Sequence, residues 1–192
     1  IRSRFEYNPL KLFAKLVPGS FNFNQMPSGQ ANIYVGMLMM FGFGLYFLNR
    51  NINLRQRILA LLITIFFILS FCYEPLDLFW HIGQFPVWYP SRFSFIFCFW
   101  IILLAATCLQ KGFQPERWQL AALLIATLAI FAYVETLTVS YINNSQKLIG
   151  LGIAIISIIF LAIPHAASPS LNNLLLVLIT ICDVSTSAYT AL

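Results

Sequence analysis

Residues 74–95 read EPLDLFWHIGQFPVWYPSRFSF. Glu74, Asp77, His81 and Arg92 stand there among Trp80, Phe85, Trp88 and Tyr89. A planar guanidinium such as that of Arg92 suits bidentate contact with a phosphate or diphosphate. Its bland alternative is an anchor at a helix start that snorkels to water. His81 is one of only two histidines in the chain. With no second histidine nearby it makes a poor metal ligand, but it would pair naturally with Arg92 as a second donor to a phosphate. Glu74 and Asp77 are spaced for acid–base work, or for capping a helix end, a role that Pro75 favours. The Trp and Tyr residues could equally form the aromatic belt of a membrane interface.

Two other acidic positions stand apart from this cluster. Glu135 closes an apolar block, and Asp183 lies inside one, flanked by Cys182 and Val184. Isolating an ionised group in lipid costs about 2.5–3.5 kcal/mol, so Asp183 is either functional or packed on polar neighbours. Ser185, Thr186 and Ser187 are the neighbours available to it. Cys72, Cys98, Cys108 and Cys182 form no CxxC pair and read as small apolar side chains in helices. Asn143-Asn144-Ser145 matches a glycosylation acceptor pattern. No GxGxxG, Walker or HExxH motif occurs, so neither a cofactor nor a metal is expected.

The elements that must hold these residues are helices in lipid. The chain has 192 residues, 60% hydrophobic and only 9% charged, with a mean hydropathy of +0.82. Soluble domains carry about 25% charged residues. A spanning helix needs about 20 apolar residues. The blocks Ile33–Leu48, Ile58–Tyr73, Phe93–Leu109, Trp118–Val134, Leu148–Ile163 and Leu174–Ala188 approach that length. The fold expected is therefore all-α: a polytopic transmembrane bundle of about six spans. Pro75, Pro86 and Pro90 forbid a continuous helix through the second outer segment, predicting a structured surface loop. The net charge of +5 belongs to topology and anionic lipid headgroups rather than to nucleic acid.

Arg50, Arg55, Arg57, Lys111 and Arg117 lie in the first two short loops, against Arg92 and Lys147 opposite. The positive side faces the cytoplasm, which places residues 74–92 and 135–147 outside and the loop Pro164–Asn173 inside. Residues 1–32 form an outer segment ahead of the membrane domain 33–192, although they carry Arg2, Arg4, Lys11 and Lys15. Within them Pro9–Val17 is amphipathic on a helical period. Leu12, Phe13, Leu16 and Val17 share one face and Lys11 and Lys15 another, as in a short helix lying on the outer leaflet. The chain does not begin with Met and ends just after an apolar block, which predicts that it is part of a longer protein.

The order of these features resembles the bacterial YfhO family of multi-spanning membrane proteins. An outer YNPLKLFAKLVPGSF leads to GQANIYVG and a first span; a basic NRNINLRQR turn precedes a span ending in PLDLFWHIGQFPVWYPSRFSFIF. The likeness covers most of the chain and rests most specifically on Pro75, Leu76, Asp77, Trp80, His81, Pro86, Pro90 and Arg92. That family is grouped with the C-type glycosyltransferases. The resemblance implies transfer of a sugar from a polyprenyl-phosphate carrier to a cell-envelope polymer, such as lipoteichoic acid, at the outside of the bacterial cell membrane. It also implies that the catalytic carboxylate sits in an outer loop upstream of these residues. The substrate would then be met here by Arg92, His81, Trp80 and Asp77. A transporter or permease subunit is the competing reading, kept alive by Gly150, Gly152 and Asp183. It would require polar or broken-helix sites near mid-membrane. A non-catalytic scaffold is a third.

Overall fold

The computed structural model describes residues 7–25, 27, 30–84, 86, 88–109, 113–137, 139–163 and 169–191. Seven α-helices follow a short 3-10 helix at Pro9–Leu16: α1 (Met37–Leu48), α2 (Leu54–Cys72), α3 (Glu74–Trp80), α4 (Ser94–Cys108), α5 (Arg117–Thr136), α6 (Asn144–Ala162) and α7 (Pro169–Ala191). No strand occurs among the described residues. Each of the six apolar blocks becomes one helix. Leu54–Cys72, Pro90–Cys108, Arg117–Thr136 and Asn144–Ala162 are long and apolar enough to cross a membrane, and Met37–Leu48 and Leu174–Tyr189 are shorter apolar helices. Outward-facing side chains such as Leu62 on α2, Ile125 on α5 and Ile156 on α6 are exposed. That is the inverse of a soluble surface and suits lipid.

The shortest of the six helices formed by the apolar blocks occupies the centre. At 12 residues α1 rises only about 18 Å, well short of a hydrocarbon core of about 30 Å. It is tolerated because α4, α6, α5, α2 and α7 all pack against it, and because Ala31, Ile33 and Gly36 in the non-helical segment before it are buried in protein, where such backbone can be satisfied. Gly42 makes the α1–α4 contact close: a Cβ there would lie 2.9 Å from that of Ala105, the small-residue device of membrane helix pairs.

Loop ends are fastened by side chains on two opposite sides. On one side Gln119 Nε2 donates to the Leu48 carbonyl at 3.0 Å and Arg57 Nη1 to that of Phe47 at 3.1 Å. On the other, Gln146 Nε2 donates to the Gly19 carbonyl at 3.0 Å and the Gly19 N–H donates to Ser187 Oγ at 3.1 Å. The loops expected inside thus meet one another, as do the segments expected outside. Asn143 serves as the N-cap of α6, its side chain accepting from the Gln146 N–H at 2.8 Å, so its place in an acceptor-like tripeptide has a structural cause. Arg2, Arg4, Phe85, Lys111 and residues 164–168 lie outside the described residues. A single cysteine at Gln84 should react with an impermeant thiol reagent in intact cells, and one at Asn53 should not. The reverse pattern would invert the topology.

Two local expectations change. The segment after α2 is not all loop. Tyr73 turns the chain (φ −116°, ψ 114°) and α3 starts with Pro75 in its first turn, the one place in a helix where proline loses nothing. The outer helix at Pro9–Leu16 is 3-10 rather than α. In that form residues three apart share a face. Lys15 therefore follows Leu12 inward instead of joining Lys11, and only Lys11 stays exposed.

Candidate functional site

The helix ends expected outside carry three polar groupings. The first is built on α3 and the turn before α4. Trp80 ends α3 in a run of near-parallel rings: 4.8 Å and 7° from Phe93, which itself lies 4.9 Å from Phe71, and 5.8 Å and 17° from Phe67. The indole is thus engaged with protein, and its buried Nε1 has no partner among the described residues. His81 follows as the C-cap, its ring edge-on to Phe93 at 6.4 Å. Its Nδ1 lies 2.9 Å from the Asp77 carbonyl oxygen and 3.7 Å from Asp77 Oδ1. A carbonyl only accepts, so Nδ1 carries a proton. Nε2 is buried without a partner among the described residues.

Arg92 sits apart from this packed group, on the 3-10 turn Pro90–Phe93. It is exposed, with Nη2 donating to the Trp88 carbonyl at 2.8 Å. Tyr89 adopts φ 50°, ψ 70°, a left-handed conformation uncommon for a non-glycine residue. It lets the chain double back so that the guanidinium is held by the carbonyls of its own turn. The structure thus brings Asp77, Trp80 and His81 together around Phe93 and presents Arg92 on the neighbouring residue. Glu135, the other outer carboxylate, pairs with Lys147 at 2.6 Å on the surface. Exposed pairs of that kind contribute at most about 1 kcal/mol.

The second grouping surrounds Lys15, which is 1% exposed. Its ammonium donates to the Ser20 carbonyl at 2.9 Å and to Gln25 Oε1 at 2.7 Å, and it stands 4.0 Å from the centre of the Tyr141 ring. Burial pushes Lys15 from 10.5 down to about 7, against the pull of two acceptors and a ring face, which favour the charged form. A folded value below the unfolded one means the unfolded chain binds the extra proton between those two values. Stability should therefore rise with pH from about 7 to 10.5 and then level. Thermal unfolding in detergent should follow that slope, and Lys15→Met should flatten it. An equal slope in the variant would assign the titration elsewhere.

The third grouping surrounds Asp183, which is 1% exposed. Its Oδ2 accepts the Met37 N–H at 2.6 Å and Oδ1 accepts the Tyr34 hydroxyl. A carboxylate from α7 thus caps the N-terminus of α1, where backbone donors and the helix dipole favour negative charge. Gly36, at φ 93°, admits it: a Cβ there would come 3.1 Å from Asp183 Oδ2. No sequence spacing relates residues 36 and 183; only the motif of an acidic residue in an apolar block pointed at the site. Beside it opens a cleft of about 300 Å³ between the 19–21 turn, residues 32–36 and α7.

A second space of similar volume, about 300 Å³, lies under the 3-10 helix. It is apolar, lined by Leu12, Phe13 and Leu16 above and by Met40, Phe97 and Ile101 from α1 and α4. Phe97 and Ile101 lie about one and two turns down α4 from Phe93.

Comparison with known proteins adds one finding. The family described as bacterial membrane protein YfhO matches residues 1–192, the whole chain. No curated protein and no solved structure matches.

Proposed function

The chain belongs to the YfhO family of bacterial membrane proteins, and from that premise we propose that it is a portion of a membrane glycosyltransferase. It would move a sugar from a polyprenyl-phosphate carrier to a cell-envelope polymer, such as lipoteichoic acid, outside the membrane. One observation carries this reading: an apolar crevice is walled in part by Phe97 and Ile101 of α4, the helix that continues from the turn exposing Arg92. A polyprenyl-phosphate sugar has the same layout, with a tail that belongs in lipid and an anionic head at the interface. The crevice suits the tail and Arg92 the phosphate. His81, Asp77 and Trp80, gathered at the end of α3, are the further substrate contacts of this reading.

Two of the features behind the transporter reading, Gly150 and Asp183, have packing roles. Gly150 is a packing glycine: a Cβ there would lie 2.7 Å from Pro18, so it lets the N-terminal segment seat on an unbroken α6. At Gly152 nothing lies within 4 Å of a Cβ position. Asp183 caps a helix. The expected result is that membranes containing the full-length protein, given a radiolabelled polyprenyl-phosphate sugar, move label to an envelope polymer. Label that remains on the carrier, in membranes whose protein is correctly inserted, overturns the reading.

A further inference from the structure

Lys15 is the one buried cation among the described residues. Burying an ammonium is costly unless it is paired, yet no carboxylate pairs with Lys15 among those residues. Its Nζ is given to the turn that follows the 3-10 helix. It donates to the Ser20 carbonyl and to Gln25 Oε1, and that same Oε1 accepts the Asn22 N–H at 3.4 Å. Both ends of the 20–25 turn are therefore tied to one amine. Phe21 and Phe23 stand between those ends. The Phe21 ring lies 5.6 Å from Lys15 Nζ and 5.8 Å from the Tyr89 ring. The Phe23 ring lies 6.1 Å from that of Trp88. Trp88 and Tyr89 are the residues whose carbonyls hold the Arg92 guanidinium. The left-handed backbone at Tyr89 persists only where its surroundings hold it, and the two phenylalanine rings are part of those surroundings.

We propose that Lys15 is a positioning residue for the Arg92 turn: by tying the 20–25 turn it steadies the Trp88–Tyr89 backbone that presents the guanidinium, and losing its proton loosens that hold. The coupling depends on the transferase reading only for what Arg92 then binds. Hydrogen bonds from an ammonium are roughly twice as strong as those from a neutral amine. The charged form is also the one drawn to the Tyr141 ring face, 4.0 Å from Nζ. Burial brings the proton within reach of neutral pH, lowering Lys15 from 10.5 to about 7. Other ionisable groups lie on the elements around it. Lys11, on the same 3-10 helix, is exposed. Cys72 is a buried thiol at the end of α2. At the end of α5, Tyr133 is edge-on to Phe13 and Glu135 is paired with Lys147. Burial raises the Tyr7 and Tyr141 phenols further from neutrality.

The test follows Trp88 by fluorine NMR in the full chain in detergent micelles, with fluorotryptophan at all four tryptophans and the signal assigned by Trp88→Phe. Without any ligand, the Trp88 resonance should shift with pH about a midpoint near 7. Lys15→Met should abolish that shift. Gln25→Glu should raise the titration midpoint by at least about one pH unit, because an opposite charge in contact favours the charged amine. A lysine that merely fills space would not answer to that change. If Lys15→Met does not fold, Phe21→Leu replaces it: it leaves the amine and cuts the link, so Trp88 should again stop titrating. The link to Arg92 is then read with geranyl methyl phosphate, a diester, because a monoester itself titrates near about 6. Its affinity should fall about fivefold from the acid to the alkaline side of the midpoint, and Arg92→Ala should remove that dependence. If Trp88 titrates through Lys15 and the diester does not bind, the Arg92 phosphate site fails alone and Lys15 still positions the turn. A Trp88 resonance that does not titrate, or titrates unchanged in folded Lys15→Met and Gln25→Glu protein, overturns the proposal. So does diester affinity that is equal on both sides of the midpoint.

Discussion

Arg92→Ala should lower sugar transfer by at least about tenfold in the full-length enzyme while leaving insertion intact. A charge-assisted hydrogen bond contributes roughly 1.5–3 kcal/mol, and tenfold is about 1.4 kcal/mol. The structure makes the variant interpretable, because the guanidinium is exposed and its bonds among the described residues run to the carbonyls of Trp88 and Tyr89. Removing it strands no buried charge. Arg92→Lys should recover only part of the rate, since an ammonium keeps the charge but loses the planar fork. The comparison also separates phosphate binding from anchoring. An anchor needs only a cation that can reach headgroups, and lysine would restore it fully. Parental transfer by correctly inserted Arg92→Ala protein would reduce Arg92 to an anchor and sink the phosphate site.

Helices in lipid are legible because their signal is local. Each apolar block became one helix, and boundaries moved by only a few residues, as at α2, which begins at Leu54 rather than Ile58. The charge bias of Arg50, Arg55 and Arg57 likewise sorted loops that do meet on one side. What failed depended on period or on distance along the chain. Lys11 and Lys15 share a face only if the helix is α. Asn8 and Pro9 start a 3-10 helix instead, and a change from 3.6 to 3 residues per turn carries Lys15 into the core. Pro75 broke the helix as expected, yet it also began the next one.

The candidate site divides along the same line. Asp77, Trp80 and His81 lie within a few residues of one another, so a single helix end was enough to gather them. Their roles still depended on packing. The run of rings from Phe71 to Phe67 engages Trp80 as structure, and the Asp77 carbonyl places a proton on Nδ1 of His81. The cleft by α1 was not legible at all. Its walls come from residues near 20, 34 and 187, joined by hydrogen bonds across more than 140 residues of sequence. Gly19, Gly36 and Ser187 carry no pattern that marks them as neighbours.

Asp183→Ala should be the most destabilising single change at these outer ends. It removes one carboxylate and leaves two donors, the Met37 N–H and the Tyr34 hydroxyl, without their partner. A buried donor left unsatisfied costs about 1–3 kcal/mol, so a combined loss of about 2–4 kcal/mol is expected. At this chain length that corresponds to a fall of about 5–15 °C in thermal midpoint. Asp183→Asn should fall between the two, because its amide oxygen can serve one donor while its NH2 group opposes the other. Tyr34→Phe should cost less than Asp183→Ala, since the Met37 N–H keeps its acceptor. The ordering matters more than any one value. A carboxylate retained for chemistry rather than capping would give the opposite pattern: Asp183→Ala at the parental midpoint with transfer abolished.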